Sequence, residues 1–351
     1  MPEVPASRGG ASHPLVELTL ARLREFVREP EALFWAFLFP IVMSLMLAVA
    51  FPGRSGAVRV GVVAGPESAA VRGILESAPG VTVRDIPAAG EEQAIREGQV
   101  DVIVVPATPP VYRFDPARQE SRTARLVVDE ALTRAAGRVD PWSAREEPVD
   151  VPGSRYIDWL IPGILGMNIM STGMWGVGFS IVQMRLRKLL KLLVSSPMRK
   201  ADYLLSQMLA RLVFLAPEAA VPLGFGVLAL GMPMRGSLAA TVVVCVAGAL
   251  SVAALGLLTA SRPRTLEAIS GILNLVMLPM WVLSGVFFST ANFPDALQPI
   301  IQALPLTALN DALRAVVLEG APLTAVGGEL ALLAVWGLVP FAVALRIFRW
   351  T

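Results

Sequence analysis

The sequence predicts an α-helical polytopic membrane protein, six transmembrane helices with a small α/β extracytoplasmic domain inserted after the first. Three observations carry this reading. Hydrophobic residues make up 54% of the 351 and charged residues 17%, where a soluble domain carries about 25% charged residues; mean hydropathy is +0.61. Six windows are apolar over the length of about 20 residues that a bilayer-crossing helix needs. In the short loops Lys and Arg concentrate on one side, fourteen against two.

The chain opens with a cytoplasmic lead-in, residues 1–31. At 100° per residue, Leu15, Val16, Leu20, Leu23, Phe26 and Val27 share one arc and the charged residues take the other, with Leu18 and Ala21 as exceptions. This pattern suits a helix lying in the membrane interface up to the break at Pro30. The first span follows at 32–53. Ala48-Val49-Ala50 resembles a signal cleavage site, but the apolar run exceeds a signal core and the leader carries Glu17, Glu25 and Glu29, so an uncleaved anchor is expected.

Residues 54–155 are dense in charge, 13 Arg against 15 Asp and Glu. Strands are expected at Val58–Val63, Val81–Ile86, Asp101–Val105 and Val111–Phe114. Helices are expected at Glu67–Ser77, Glu91–Glu97 and Ala117–Ala136, the first following the Gly65-Pro66 turn. This segment holds no His, Cys or Asn, and Gly61 to Gly65 does not fit a dinucleotide fingerprint. A gating, assembly or docking role fits it better than catalysis.

Residues 156–351 supply five more spans: Trp159–Met184, Tyr203–Met232, Gly236–Ser261, Ala268–Pro294 and Leu323–Leu345. The positive-inside rule places both termini in the cytoplasm. The basic stretch Arg185–Val194 reads as one short amphipathic helix, with Leu186, Leu189, Leu190, Leu193 and Val194 on one arc and Arg185, Arg187, Lys188 and Lys191 on the other, where only Leu192 intrudes. It would grip anionic lipid or act as a lever for a cytoplasmic motor.

Among the polar residues inside spans, which include Arg211 and Glu329, three stand out. Glu218 lies near mid-depth of the third, where an ionisable group costs about 2.5–3.5 kcal/mol on insertion scales. Pro217 and Pro222 flank it. It marks a translocation path or proton-linked site, or else a structural pair with Arg211 or with an Arg from another helix; Arg211 lies seven positions away, so a direct bond within the span would need bending. Asn168 and Asn274, in the second and fifth spans, read first as hydrogen-bonding glue between helices and second as path residues. Gly163, Gly166, Gly173 and Gly176 permit close helix approach, with a subunit interface as one use.

Chemistry on this chain is not expected. One Cys (Cys245) and one His (His13) exclude a disulfide framework, a zinc site and the Ser–His and metal-dependent intramembrane proteases, and no Asp falls mid-span for an aspartyl one. No catalytic residues, metal or cofactor are assigned. Nothing suggests nucleic-acid binding. The absence of Cys and of an N-x-Ser/Thr acceptor from 54–155 fits a prokaryotic cell (inner) membrane.

Four stretches together resemble the membrane subunit of a type-2 ABC transporter: REPEALFWAFLFPI (Arg28–Ile41), the large domain after the first span, RLRKLLKLLVSSPMRKADYLLSQ (Arg185–Gln207), and LSGVFFSTANFPDALQPIIQALPLTALNDALRAVVLEG (Leu283–Gly320). The resemblance departs at Gln183, where the family has an acid, at Lys188-Leu189, where it has Gly-Thr, and at Ser206, where it has Gly; Pro197 and the spacing to Tyr203 are kept. It implies a permease that exports a small molecule, drug, lipid or glycan by alternating access. Two permease copies, or a copy and a paralogue, would face each other, with short helices at 290–320 folding back on the outer face.

It also implies a separate ATPase subunit that binds ATP and Mg. No Lys here follows Gly, so a Walker A loop is not encoded. Contact with the ATPase would fall on the loop 185–202: Arg185, Leu186, Arg187, Lys188, Leu190, Lys191, Leu193, Pro197, Arg199 and Lys200. Candidate path residues are Glu218, Asn168 and Asn274. A proton-coupled secondary transporter using Glu218, or a membrane sensor with an external ligand domain, are the rival readings.

Overall fold

The structure is a computed structural model. It describes residues 30–50, 57–87, 90–139, 155–195 and 200–349, with Arg24 and Arg28. The expected lead-in helix, Pro197 and Arg199 lie outside these residues. The chain forms two compact units: Pro52–Asp150 is one, and Met1–Phe51 with Val151–Thr351 is the other.

In the smaller unit, runs of alternating valines form β1 (Val58–Val63), β2 (Val81–Ile86) and β3 (Val102–Val105), and β4 (Val111–Arg113) completes a sheet of order β2-β1-β3-β4. The first three are parallel, with Val58 opposite Val81 and Val60 opposite Val102; β4 is antiparallel to β3. Helices at Ser68–Ser77 and Gln119–Ala135 bury Leu75, Ala124 and Val128 against Val60, Val62, Val102 and Val104. The helix Glu91–Arg96 covers the opposite face through Ala94, against Val63, Ile86 and Ile103. Each predicted element is present, with ends within two residues. The fit is tight at Gly61, where a Cβ would sit 2.7 Å from Ile86 Cγ1. Asp101 accepts from the Arg59 backbone N–H at 3.0 Å and from its Nη2 at 2.7 Å, tying β1 to the entry of β3.

The larger unit is helical. Its helices are numbered here in chain order: α1 (Pro30–Leu33), a π-helical turn (Phe34–Leu38), α2 (Phe39–Ala50), α3 (Tyr156–Leu186), α4 (Leu189–Ser195), α5 (Lys200–Leu230), α6 (Leu238–Ala260), α7 (Leu266–Leu283), α8 (Gln298–Gln302), α9 (Pro305–Arg314), a second π turn (Ala315–Glu319) and α10 (Gly327–Ile347). Among the described residues five helices are long and apolar enough to cross a membrane: α3, α5 from Tyr203, α6, α7 and α10. The first expected span is a run of helix from Pro30 to Ala50, about 31 Å at 1.5 Å per residue, whose apolar part is Phe34–Leu47.

The fifth span is shorter than its charge-free window. It ends at Leu283 because Gly285 turns the chain with φ +68°, and the rest of the window forms short turns up to Pro294. A pair of helical segments, Asp295–Gln302 and Pro305–Glu319, then meets at 86°. Leu304, held extended ahead of Pro305, makes the corner, as steric conflict with a following proline ring demands.

The bundle is centred on α6, which packs on α3, α5 and α10. Small residues allow this. A Cβ on Gly173 would lie 2.7 Å from Val252, and one on Gly256 would lie 3.2 Å from the Gly173 carbonyl. Close backbone approach of this kind supplies the packing energy that helices in lipid cannot draw from the hydrophobic effect.

Gly61→Val should overpack the smaller unit by about 1–3 kcal/mol. In the full-length protein, limited proteolysis should then cut within residues 52–150 at temperatures where the wild type resists; equal resistance would contradict this packing.

Candidate functional site

The expected single helix over Arg185–Val194 is not formed. Helix α3 runs on through Leu186 and stops at Arg187–Lys188, and α4 starts afresh at Leu189. Lys188 takes φ +60°, in the left-handed region where a Cβ is disfavoured. Its N–H bonds the Arg185 carbonyl at 3.0 Å and its carbonyl accepts from Lys191 at 3.2 Å, so the chain turns without orphaning these groups. A helical wheel drawn through this point fails, because one left-handed residue resets the phase. Leu190 is buried, whereas Leu186, Leu189 and Leu192 are exposed together with Arg187, Lys188 and Lys191. The result is an elbow whose outer surface is both basic and apolar. The side chains of Leu193 and Lys200 lie outside the described part.

Arg185, expected on the polar face, is 8% exposed. Its guanidinium donates to the carbonyls of Ala260 at 3.1 Å, Ser261 at 3.2 Å and Arg349 at 2.9 Å, and also to Pro263. It stacks 5.5 Å over the Phe348 ring. The terminal carbonyls of α6 carry the negative end of its helix dipole, and the Arg349 carbonyl lies just past the end of α10, so one cation ties three helical segments together. At the other end of α3, Arg155 holds Asp158 through two bonds of 2.7 and 2.9 Å and donates to Gly231 at 2.8 Å, where α5 ends.

Between these ends lies a polar cluster inside the bundle. Glu218 and Arg211, 1% and 5% exposed, form a direct ion pair within α5. This is the pairing with Arg211 named above as one alternative for Glu218, the two side chains together bridging the two turns between them. Thr172 on α3 donates to Glu218, and Arg211 donates to the Ile169 carbonyl at 3.1 Å. Asn168, one turn from Thr172, donates at 2.9 Å to the carbonyl of Ala36 in the first π turn. A π turn misaligns backbone carbonyls, and lipid cannot answer them; Asn168 does so for one. A cavity of about 40 Å³ adjoins the cluster, lined by Ala36, Phe37, Thr172, Gln207, Arg211, Phe214 and Glu218. That holds a water or two, not a transported molecule.

Glu218 and Asn168 are therefore brought together, and Asn274 is not. It faces outward from α7, exposed. Three of the four glycines read as candidate interface residues are spent inside the chain: a Cβ on Gly163 would meet the Val286 carbonyl at 2.6 Å, one on Gly166 would meet Asn310 at 2.0 Å, and Gly173 packs on Val252. Gly176 borders the cavity.

Sequence reasoning missed a second buried cation. Arg314, 4% exposed, closes α9 onto the start of α3: it lies 3.5 Å from the Trp159 ring centre and donates to the carbonyls of Trp159, at 3.3 Å, and Gly285. Asn310 donates to the Ser284 carbonyl at 2.9 Å. The D-A-L-R run carried the signal, but the arginine counted only as a charge in an external loop.

A family model described as "ABC-2 family transporter protein" matches residues 30–346. The chain is also similar to Nodulation protein J of Rhizobium meliloti (strain 1021), 27% identical over 203 residues, which cover 57% of this chain and 76% of that protein.

Removing one partner of a buried ion pair costs about 3–5 kcal/mol, because the other charge is stranded. Arg211→Met and Glu218→Gln should each lower the thermal midpoint of the purified protein sharply. The double variant should recover most of the loss; additive losses would contradict the pairing. Lys188→Gly should raise the midpoint by the equivalent of about 1 kcal/mol, and Lys188→Val should lower it, since left-handed backbone costs a side chain about 1–2 kcal/mol.

Proposed function

The chain belongs to the ABC-2 family of transporter membrane proteins, and from that premise we propose that it is the membrane half of an ATP-driven exporter. It is a non-catalytic permease subunit and a multi-pass membrane protein. ATP and Mg bind a separate ATPase chain, with two permease copies meeting above a pair of ATPases. Both termini and the elbow at Arg187–Lys191 face the cytoplasm, and residues 54–155 lie outside.

The observation that carries this reading is the elbow. A basic and apolar surface exposed directly beyond a membrane-crossing helix has two uses, lipid and protein. The three exposed leucines beside Arg187, Lys188 and Lys191 suit a groove on a partner protein. Arg185 acts behind the elbow, carrying its displacement to the terminal carbonyls of α6 and to the Arg349 carbonyl just past α10. The cluster of Asn168, Thr172, Arg211 and Glu218 with its cavity is the polar station on the path. ATP-driven closure of the ATPases would then shift a rigid bundle between two arrangements, with the permease biased by its partner's nucleotide state. The cargo is a small molecule, drug, lipid or glycan.

Charge reversal of Arg187, Lys188 and Lys191 to Glu, all exposed, should leave the purified chain folded. After reconstitution with the ATPase subunit, ATP turnover should continue while transport falls at least about tenfold, the loss that about 1.4 kcal/mol of coupling represents. Transport undiminished by the triple change would refute the assignment of the elbow.

A further inference from the structure

Four arginines gather where three helices end. Helix α6 stops at Ala260, α7 begins at Leu266 and α10 ends at Ile347. The Arg349 N–H bonds the Ser261 carbonyl at 3.1 Å, which joins the segment after α10 to the α6–α7 loop. Arg185 holds the same backbone from within, since its one guanidinium reaches the carbonyls of Ser261, Pro263 and Arg349. Arg262 and Arg264 lie on this loop, Arg349 is bonded beside it, and Arg346 sits one turn back in α10; all four side chains are exposed. Among the described residues none of the four makes an ion pair or a side-chain hydrogen bond. Along 261–268 and 345–349 the one acid is Glu267, itself exposed. Arg264 and Arg349 stand near enough to Arg185 for the like charges to repel. Cations so placed call for an anion from outside the chain.

The surroundings decide which anion. The loop between α6 and α7 has five residues, 261–265, and buries Ser261 and Pro263. It stays at the level of the helix ends, unlike the elbow, which carries a helix of its own, α4. An acidic protein partner would find little there to grasp. Arg346 directly follows Leu345, and Leu338, Val339, Val343 and Leu345 are exposed along α10, whose apolar stretch is only 17% buried. The cations thus stand just beyond an open apolar face. We propose that Arg262, Arg264, Arg346 and Arg349 bind the phosphate of an anionic phospholipid whose acyl chains lie along α10. Guanidinium groups bind phosphate bidentately, and basic pockets between membrane-crossing helices take such head groups. The proposal requires α6, α7 and α10 to cross a membrane; it depends neither on which side their ends face nor on an ATPase. The bound phosphate offsets the repulsion among Arg185, Arg264 and Arg349 and strengthens the joint of α3, α6 and α10.

The test uses the full-length chain purified in an uncharged detergent, with phosphatidylglycerol as the probe and phosphatidylcholine as the neutral comparison. In a mass-spectrometric titration phosphatidylglycerol should bind at least about tenfold more tightly, and it alone should raise the thermal midpoint. Arg346→Gln with Arg349→Gln should weaken phosphatidylglycerol by about 25-fold, near fivefold for each cation removed from the membrane surface. Arg262→Gln with Arg264→Gln should do the same from the other segment, so a folding defect in one pair leaves the other as the test. Lys at the same positions should retain most of the affinity. Arg187→Gln with Lys191→Gln, at the elbow, should leave it unchanged. Equal binding of the two lipids overturns the proposal. An equal loss from the elbow pair overturns it too, since the attraction would then be diffuse. Full competition by glycerol phosphate, which has the charge without the chains, reassigns the patch to a soluble phosphate. Undiminished lipid binding in both arginine pairs overturns the site, and if those variants also lose the ATPase subunit the patch belongs to a protein partner.

Discussion

Lipid cannot hydrogen-bond, so each charge and each misaligned carbonyl inside this bundle has to be answered by the chain itself. The larger unit is organised around that constraint. Arg185 answers the carbonyl ends of α6 and the segment after α10, Glu218 and Arg211 answer each other with Thr172 bridging to α3, and Arg314 answers the turn at Gly285. Asn168 answers the carbonyl of Ala36 at the π turn of the first span. These are four links at different levels of one helix, α3. That helix has few options for independent movement: it is tied to the first span, α5, α6, α9 and the end of α10. A push on the elbow that terminates α3 is therefore a push on the whole bundle.

The small glycines belong to the same logic. Backbones that approach closely enough for a Gly163 Cβ to strike the Val286 carbonyl gain dispersion contacts over a long interface. They also bring polar backbone within reach of Arg314 and Asn310. Packing and polar satisfaction are thus one design in α3. Asn274 breaks the pattern: it is exposed on α7, and among the described residues no side-chain hydrogen bond answers it.

Much of the architecture was legible in residues alone. Short valine-rich runs and the Gly-Pro turn located the elements of the smaller unit, because β-branched runs between turn residues are a strong local signal. Charge-free windows located the long helices, because the length of a span is set by bilayer thickness. Two kinds of fact were not legible. One residue's backbone angle decides whether Arg185–Val194 is one helix or two, and hydrophobic periodicity cannot see the φ of Lys188. The family resemblance held a clue, since the position is one where relatives carry glycine. The burial of Arg185 and Arg314 was hidden for a related reason. Counting charges by segment records which side of the membrane a cation belongs to, and says nothing of whether it faces water or a helix end. The Arg211–Glu218 pair was legible as one alternative, but seven positions of separation suggested that helix bending was needed, whereas side-chain reach closes that distance.

The proposed topology has the elbow at Arg187–Lys191 in the cytoplasm and residues 54–155 outside. Labelling of single cysteines by a membrane-impermeant maleimide in intact cells tests it most directly. With Cys245→Ala as background, Thr82→Cys in β2 should react before lysis and Lys191→Cys only after it. Reaction of Lys191→Cys in intact cells, or protection of Thr82→Cys until lysis, would contradict the account.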